Sequence, residues 1–362
     1  ICLVIQYFGP IGGLITFLVA NLSSLYGSFY GFNKLDFLID PISPLIICLL
    51  SYLIITFFNF LFTELERSKV RTAFSQYLAP EMVSRLAESS ESLKLGGEKK
   101  TMTFLFSDIR GFTAISETYK SNPEELTELI NKLLTVLSNE ILENEGTIDK
   151  YMGDCIMAFW NAPTDQENHT DLALKASFDM EKALENFNIE FQKEKGMELK
   201  IGIGINTGEC IVGNMGSEKR FDYTVLGDPV NLASRLEGQS GTYGFQRILG
   251  QETVNTLKSE CSLFELDLIQ VKGKTEPVKI YTSFDKFSLA QDKLIEFQTD
   301  HRKFLENYRN QQWDSALTIV KKWEEQVVEF DLYYAIFKDR IKDMKLNLTD
   351  PKWNGAYVAT TK

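Results

Sequence analysis

The chain has 362 residues, is 44% hydrophobic, and carries 38 Lys and Arg against 50 Asp and Glu, for a net charge of −12. That acidity argues against a nucleic-acid-binding surface, which is basic. Five cysteines without a CxxC pair give neither a zinc site nor a disulfide framework and fit a reducing cytosol, and His169 and His301 alone make histidine general-base chemistry a poor expectation.

The length suits about two or three domains, and a first residue of Ile implies a chain beginning partway through a longer protein. Residues 44–62, PLIICLLSYLIITFFNFLF, are uncharged and long enough to span a bilayer. The alternative is a buried core helix. Residues 11–30 are also uncharged, although Asn21, serines and glycines dilute the pattern, and Ile1 to Phe8 reads as the tail of another span. Arg67, Lys69 and Arg71 follow the second span, so the basic excess puts the C-terminal side in the cytoplasm. Residues 1–62 are therefore read as transmembrane.

Residues 63–97 continue as a juxtamembrane helix and linker. Val70, Phe74, Tyr77 and Leu78 recur at helical spacing, Pro80 interrupts, and Met82, Val83 and Leu86 resume. Such a helix either pairs with a copy of itself or is a solvated linker. Gly96–Gly97 closes a polar stretch at a domain boundary.

From 98 to 285 the period changes. Strands are expected at 101–107, 147–152, 155–160, 199–207, 210–214, 263–271 and 278–284, and helices at 123–144, 168–195 and 228–239. Asn122 caps the first of these and Pro123 fits its first turn. The fold class is α+β, with helices packed on one sheet and two hairpins. Residues 286–362 turn helical again, with Trp313, Ala316, Leu317 and Val320 on one face.

The residues that carry chemistry sit at element ends. TFLFSDIRGFT, 103–113, is an apolar strand buried on both faces that ends in Asp108, and Gly111 lets the backbone turn close to a ligand. Alone, Asp108 reads as a helix cap. DKYMGDCIMAFW, 149–160, supplies a second carboxylate, Asp154, in a tight turn, and alternation puts Ile148, Lys150 and Met152 on one strand face. Two carboxylates at strand ends can share a pair of divalent ions.

In GIGINTGECIVGNMGSEKRFDYTVLGDPVNLASRLE, 202–237, the glycines lead into another strand, which excludes a dinucleotide fingerprint. Asn231 and Arg235 share one helix face, with Val230, Ala233 and Leu236 on the other. The pair can steady a charged transition state or can be a solvated face. In VKGKTEPVKIY, 271–281, Lys272 and Lys274 flank a glycine turn, where either a phosphate contact or plain solvation fits.

Together these stretches resemble the class III adenylate/guanylate cyclase catalytic domain, over roughly 98–285. The resemblance implies a ferredoxin-like sheet with flanking helices, working as a head-to-tail homodimer with active sites at the interface. It makes Asp108 and Asp154, helped by the Ile109 backbone, the ligands of two Mg²⁺ or Mn²⁺ ions. It gives Asn231 and Arg235 the ribose and the pentavalent phosphorus. Gly111, Phe112, Thr113, Lys272 and Arg220 (or Lys219) go to the phosphates.

Lys150 and Thr224 match the base-reading pair. Lys donates to adenine N1 and the Thr hydroxyl accepts from the 6-amino group, whereas guanine reverses that pattern. The expected activity is conversion of ATP to cyclic AMP. The alternatives are a guanylate cyclase, a catalytically dead nucleotide sensor, or a membrane scaffold acting through the C-terminal helices.

The segments GPIGGLITFL and RTAFSQYLAPEMVSRL resemble the part that follows a CHASE-type sensor (second class) in bacterial cyclases, implying a multi-pass inner- or plasma-membrane protein with a cytoplasmic catalytic domain. NYRNQQWDSAL resembles a tetratricopeptide-like helix pair, whose role is partner binding or capping of the domain.

Overall fold

The computed structural model describes residues 2–37, 40–74, 96–218, 220–270, 276–285, 287–347 and 353–358. The chain forms two compact units, Ile1–Ala87 and Glu88–Lys362.

The first unit is built from α1 (Cys2–Leu35) and α2 (Ile42–Phe74). Helical geometry in α1 breaks at Gly9, whose φ of 70° and ψ of −174° precede Pro10. The segment Cys2–Phe8 thus lies on the far side of a kink. Two stretches, Ile11–Lys34 and Ile42–Leu65, are long and apolar enough to cross a membrane, and no residue of the second is buried within the protein. The two helices touch where the rings of Phe17 and Tyr52 lie 6.1 Å apart. The expected juxtamembrane pattern continues as α2 to Phe74; Tyr77, Leu78 and everything to residue 95 lie outside the described residues.

In the second unit, β1 (Gly96–Ile109) is followed by α3 (Phe112–Thr118), α4 (Pro123–Glu143), β2 (Thr147–Met152), β3 (Cys155–Trp160) and α5 (His169–Lys195). Next come β4 (Ile201–Ser217), β5 (Arg220–Leu226), α6 (Asp228–Tyr243), β6 (Arg247–Gly250), α7 (Gln251–Thr256), β7 (Ser262–Gln270) and β8 (Val278–Phe284). The tail contributes α8 (Gln291–Arg309), α9 (Trp313–Trp323), a 3₁₀ turn (Val328–Phe330), α10 (Asp331–Asn347) and β9 (Tyr357–Val358). The sheet runs β2-β3-β1-β4-β6-β8-β7-β9, and β5 folds back on β4. This is the expected mixed α+β architecture.

Alternation along β1 sends its side chains to two cores. Leu105 and Ile109 pack with Leu133, Leu137 and Ile141 of α4 and with Ala173 and Met180 of α5. Met102, Phe104 and Phe106 pack on the opposite face with Val230 and Ala233 of α6. The Asn122 side chain caps α4 by accepting from the Glu125 N–H, with Pro123 in the first turn.

The strands expected at 199–207 and 210–214 are one strand, β4. Its glycines serve packing. A Cβ on Gly204 would lie 2.2 Å from the Ala233 carbonyl oxygen and the Glu237 nitrogen. Only glycine lets α6 settle this closely on the sheet.

The tail does not stand apart from the sheet. Phe264 of β7 packs on Phe297 and Phe330 with ring centroids 5.3 Å away, and Phe330 lies 5.4 Å from Tyr333. Ala316 and Val320 of α9 are buried in the same core, with Trp313 and Leu317 packed against it. β9 pairs in parallel with β7, Tyr357 opposite Ile269.

Candidate active site

Two polar groups assemble at the end of the sheet that carries β1–β5. The first is acidic. β1 delivers Asp108 at its C-terminal end, and the β2–β3 turn delivers Asp154, whose Oδ2 accepts the Ile109 N–H at 3.3 Å. Asp108 Oδ1 is buried and has no hydrogen-bond partner among the described residues. Burial, and then the Asp154 carboxyl beside it, pushes the Asp108 carboxyl up to about 6. A neighbouring carboxylate and loss of water both disfavour the charged form.

Two residues that the sequence reading left without a role join this cluster. Glu237 of α6 is pushed up to about 7, mainly by burial and then by Asp108, while Arg110 opposes the shift. Arg110 donates from Nη2 to the Phe245 carbonyl at 2.6 Å. No sequence signal links Glu237 to β1. It reaches the cluster because Gly202 and Gly204 let α6 lie close on the sheet, and a Cβ on Gly202 would sit 2.7 Å from Glu237 Oε1. The nearby Cys155 thiol is pushed up to about 12, chiefly by burial, so it is no thiolate nucleophile.

An orphaned buried oxygen on one of two mutually repelling carboxylates is the donor set that suits a hard divalent cation. Magnesium in particular is commonly held by one or two carboxylates plus substrate phosphate oxygens. Among the described residues no cluster of three or more His, Cys, Asp or Glu forms a ready metal cage. The Asp108–Asp154 pair therefore fits a cation that takes further oxygens from a ligand.

The second group surrounds Lys150 and Thr224. β2 contains a bulge: Ile148 pairs with Ala158 but Lys150 pairs with Met157, so Asp149 is passed over. This corrects the expectation that Ile148, Lys150 and Met152 share a face, because an extra residue reverses the alternation. Ile148 packs toward α4 and α5, in the core that holds Ala158, while Lys150 pairs with Met157 of the opposite core.

Thr224, opposite Gly213 in the β4–β5 hairpin, donates from Oγ1 to Asp149 Oδ2 at 2.6 Å. Lys150 Nζ lies 3.4 Å from Asp149 Oδ1; the Lys150 side chain is 42% exposed and that of Asp149 is 1% exposed. Nothing in the sequence singles out Asp149.

The remaining candidates are placed as follows. Gly111, in a left-handed conformation at φ 69°, caps α3, and Phe112 and Thr113 form its first turn. On α6, Asn231 is exposed and Arg235 half-buried, its Nη1 buried without a hydrogen-bond partner among the described residues. Val230, Ala233 and Leu236 are buried as the helical spacing requires. Arg220 stands exposed at the tip of the β4–β5 hairpin. Lys272, Lys274 and Lys219 lie outside the described residues.

Comparison with known proteins gives this arrangement a context. Residues 97–284 match the family model described as "Adenylate and Guanylate cyclase catalytic domain". The chain is 36% identical over 223 residues to an adenylate cyclase of Anabaena cylindrica, covering 59% of this chain and 43% of that protein. It is 32% identical over 209 residues to adenylate cyclase 1 of Rhizobium meliloti, covering 58% and 31% respectively. The chain thus spans less than half the length of either curated relative. The fold is similar to that of a bacterial light-regulated adenylyl cyclase, with a TM-score of 0.53 at 22% identity over 65% of this chain and 67% of that one.

Proposed function

From the premise that this chain belongs to the adenylate and guanylate cyclase catalytic domain family, we propose that it is a membrane-anchored adenylate cyclase. It converts ATP to 3′,5′-cyclic AMP and pyrophosphate at the interface of a homodimer. The observation that carries the reading is the meeting of Lys150 and Thr224 on one buried carboxylate, a donor and an acceptor matched to adenine.

In this mechanism Lys150 donates to adenine N1 and Thr224 accepts from the 6-amino group. Guanine would present a donor to the ammonium and an acceptor to the hydroxyl oxygen, so the same pair disfavours GTP. Asn231 orients the ribose. The 3′-oxygen attacks the α-phosphorus in line, its proton passes to solvent, and the bond to the bridging oxygen of the β-phosphate breaks. Arg235, whose buried Nη1 has no hydrogen-bond partner among the described residues, offsets the charge that builds on the five-coordinate phosphorus. Gly111, Phe112, Thr113, Arg220 and Lys272 hold the phosphates. Asp108 and Asp154, with the Ile109 backbone, would hold two Mg²⁺ or Mn²⁺ ions, which supply Lewis acidity toward the hydroxyl and phosphoryl oxygens.

In the proposed dimer the aspartates of one protomer face Lys150 and Thr224 of its partner, so two equivalent sites form and a monomer is inactive. The spans Ile11–Lys34 and Ile42–Leu65 anchor the catalytic domain, and Arg67, Lys69 and Arg71 keep it on the cytoplasmic side.

The test is nucleotide turnover by the full chain in membranes, with Mn²⁺ and with ATP and GTP offered separately. Cyclic AMP from ATP alone, lost in Asp108→Ala, is the expected result. Cyclic GMP would overturn the base assignment. Absence of either product from a confirmed dimer would overturn the enzyme reading.

A further inference from the structure

A hydroxyl carries one proton and can satisfy either purine: it accepts from the 6-amino group of adenine or donates to the 6-oxygen of guanine. Threonine at position 224 therefore does not by itself select ATP. The selectivity depends on where its proton goes.

In this chain the proton is committed. Thr224 Oγ1 lies 2.6 Å from Asp149 Oδ2, within the short range of a hydroxyl donating to a carboxylate. Only a carboxylate that is ionised is an obligate acceptor. The Asp149 carboxyl is raised, chiefly by burial and also by the Asp222 charge, while the Thr224 hydroxyl and the Lys150 ammonium oppose the rise; the short Thr224 contact and the adjacent ammonium are what favour the ionised form. The ammonium stands at an ion-pair distance of 3.4 Å from Oδ1, the oxygen that Thr224 does not use and that has no hydrogen-bond partner among the described residues. The β2 bulge falls at Asp149, which is left without a partner position on β3.

We infer that Asp149 is a positioning residue for base selectivity: by taking the Thr224 proton it leaves only lone pairs for the base, making Thr224 an acceptor for the adenine 6-amino group. The same carboxylate steers the Lys150 ammonium, so one buried side chain sets both halves of the base reader. The inference rests on the adenylate cyclase reading and deepens it.

Asp149→Asn reverses the arrangement with little change of shape. The Lys150 ammonium draws the amide oxygen to the Oδ1 position and turns the amide NH₂ toward Thr224. Thr224 then accepts from the amide, and its own proton points to the base. The experiment measures kcat/KM of the full chain for ATP, GTP and purine riboside triphosphate, which has neither an amino nor an oxo group at position 6.

The expected result is a fall in the ATP-to-GTP ratio of about tenfold, the value of one hydrogen bond made or opposed. Turnover of the 6-unsubstituted analogue should change far less than that of ATP. Thr224→Val should abolish the preference for ATP over that analogue, and Asp149→Asn added to it should change the preference no further. If Asp149→Asn does not fold, Asp149→Ser carries the same expectation, since it too removes the obligate acceptor.

Equal loss on all three nucleotides, with ATP still turned over by the wild-type chain, would make Asp149 merely structural and overturn this inference alone. A wild-type chain that makes no cyclic nucleotide would overturn the cyclase reading, and this inference with it.

Discussion

Asp108 and Asp267 are two carboxylates on strands of one sheet, and burial raises the pKa of both. They differ in what surrounds them. Asp267, fully buried on β7, accepts from Arg340 Nη1 at 2.6 Å, from the Tyr243 hydroxyl at 2.6 Å and from the Leu268 N–H at 2.8 Å. Arg340 comes from α10, and its guanidinium also lies 3.5 Å from the centre of the Tyr357 ring. Asp108 has no hydrogen-bond partner for Oδ1 among the described residues and has a second carboxyl beside it. Asp267 has its buried charge answered from within the chain. Asp108 and, on α6, Arg235 keep buried polar atoms, Oδ1 and Nη1, without a hydrogen-bond partner among the described residues; the β7 end also has such atoms, the Tyr334 hydroxyl and His301 Nδ1, but none of them belongs to a buried carboxylate pair. Unsatisfied buried groups are rare enough in native proteins that each calls for an explanation.

The comparison predicts opposite responses to removing each carboxylate. Asp267→Ala strands Arg340 in a dry core, and deleting one partner of a buried ion pair costs about 3–5 kcal/mol. The melting temperature should drop markedly, and any lost activity should follow unfolding. Changing both residues together, Asp267→Leu with Arg340→Met, should recover much of that loss, because no unpaired charge remains. A double variant as unstable as Asp267→Ala would mean that this region depends on the ion pair's geometry and not on charge balance.

Asp108→Asn should do the reverse. It removes a costly buried charge, so the melting temperature should hold or rise. Cyclase turnover should fall about 10²–10³-fold, the range for deleting one group that stabilises developing charge. Parallel melting curves and turnover assays check this. A destabilised but proportionately active variant would place Asp108 with Asp267 as a structural residue and break the contrast.

How much of this was legible in the sequence follows from the range of the forces involved. β2, β3 and β8 lie at the residues where strands are expected, each a short run bounded by turn residues. The motif around Asp108 and Asp154 stood out because acidic residues ending buried strands are conspicuous. β5, β6 and α7 were not foreseen. β6 is four residues long and exists because it pairs in parallel with β4, a partner distant in sequence. The gap expected at 208–209 is absent, and β4 runs through it because β1 pairs with it along its length. Asp149 escaped notice because a bulge cannot be read from one strand alone; its partner strand defines it. Glu237 needed the close approach of α6 allowed by Gly202 and Gly204. Local pattern thus gave the elements and the carboxylate pair, while the surroundings that set their chemistry came from tertiary packing.

The smallest predicted effect separates the two ends by pH. His301 of α8 is 1% exposed and ringed by Phe264, Phe297, Phe330 and Tyr333, with centroids 5.3–5.9 Å from its own. Its neutral Nε2–H donates to the Glu265 carbonyl at 2.6 Å. Burial lowers its pKa to about 4 from an ordinary 6.5, with the Glu265 contacts opposing and the Arg309 charge adding to the shift. Between those values the unfolded chain holds the proton and the folded chain does not, so stability is lost as pH falls from about 6.5 to about 4. Asp108, raised from 3.8 to about 6, acts with the opposite sign: the folded chain binds the proton more readily, and acid relieves its repulsion. His301→Gln keeps a donor for Glu265 but does not titrate. Its melting temperature should therefore fall less than that of the wild type across this window, a difference on the order of 1–3 kcal/mol. Asp108→Asn should make the acid loss steeper, because it removes the group that gains from protonation. Parallel melting curves for the three proteins from pH 7 to pH 4 test both signs, and identical slopes would show that neither group differs in proton affinity between the folded and unfolded chain.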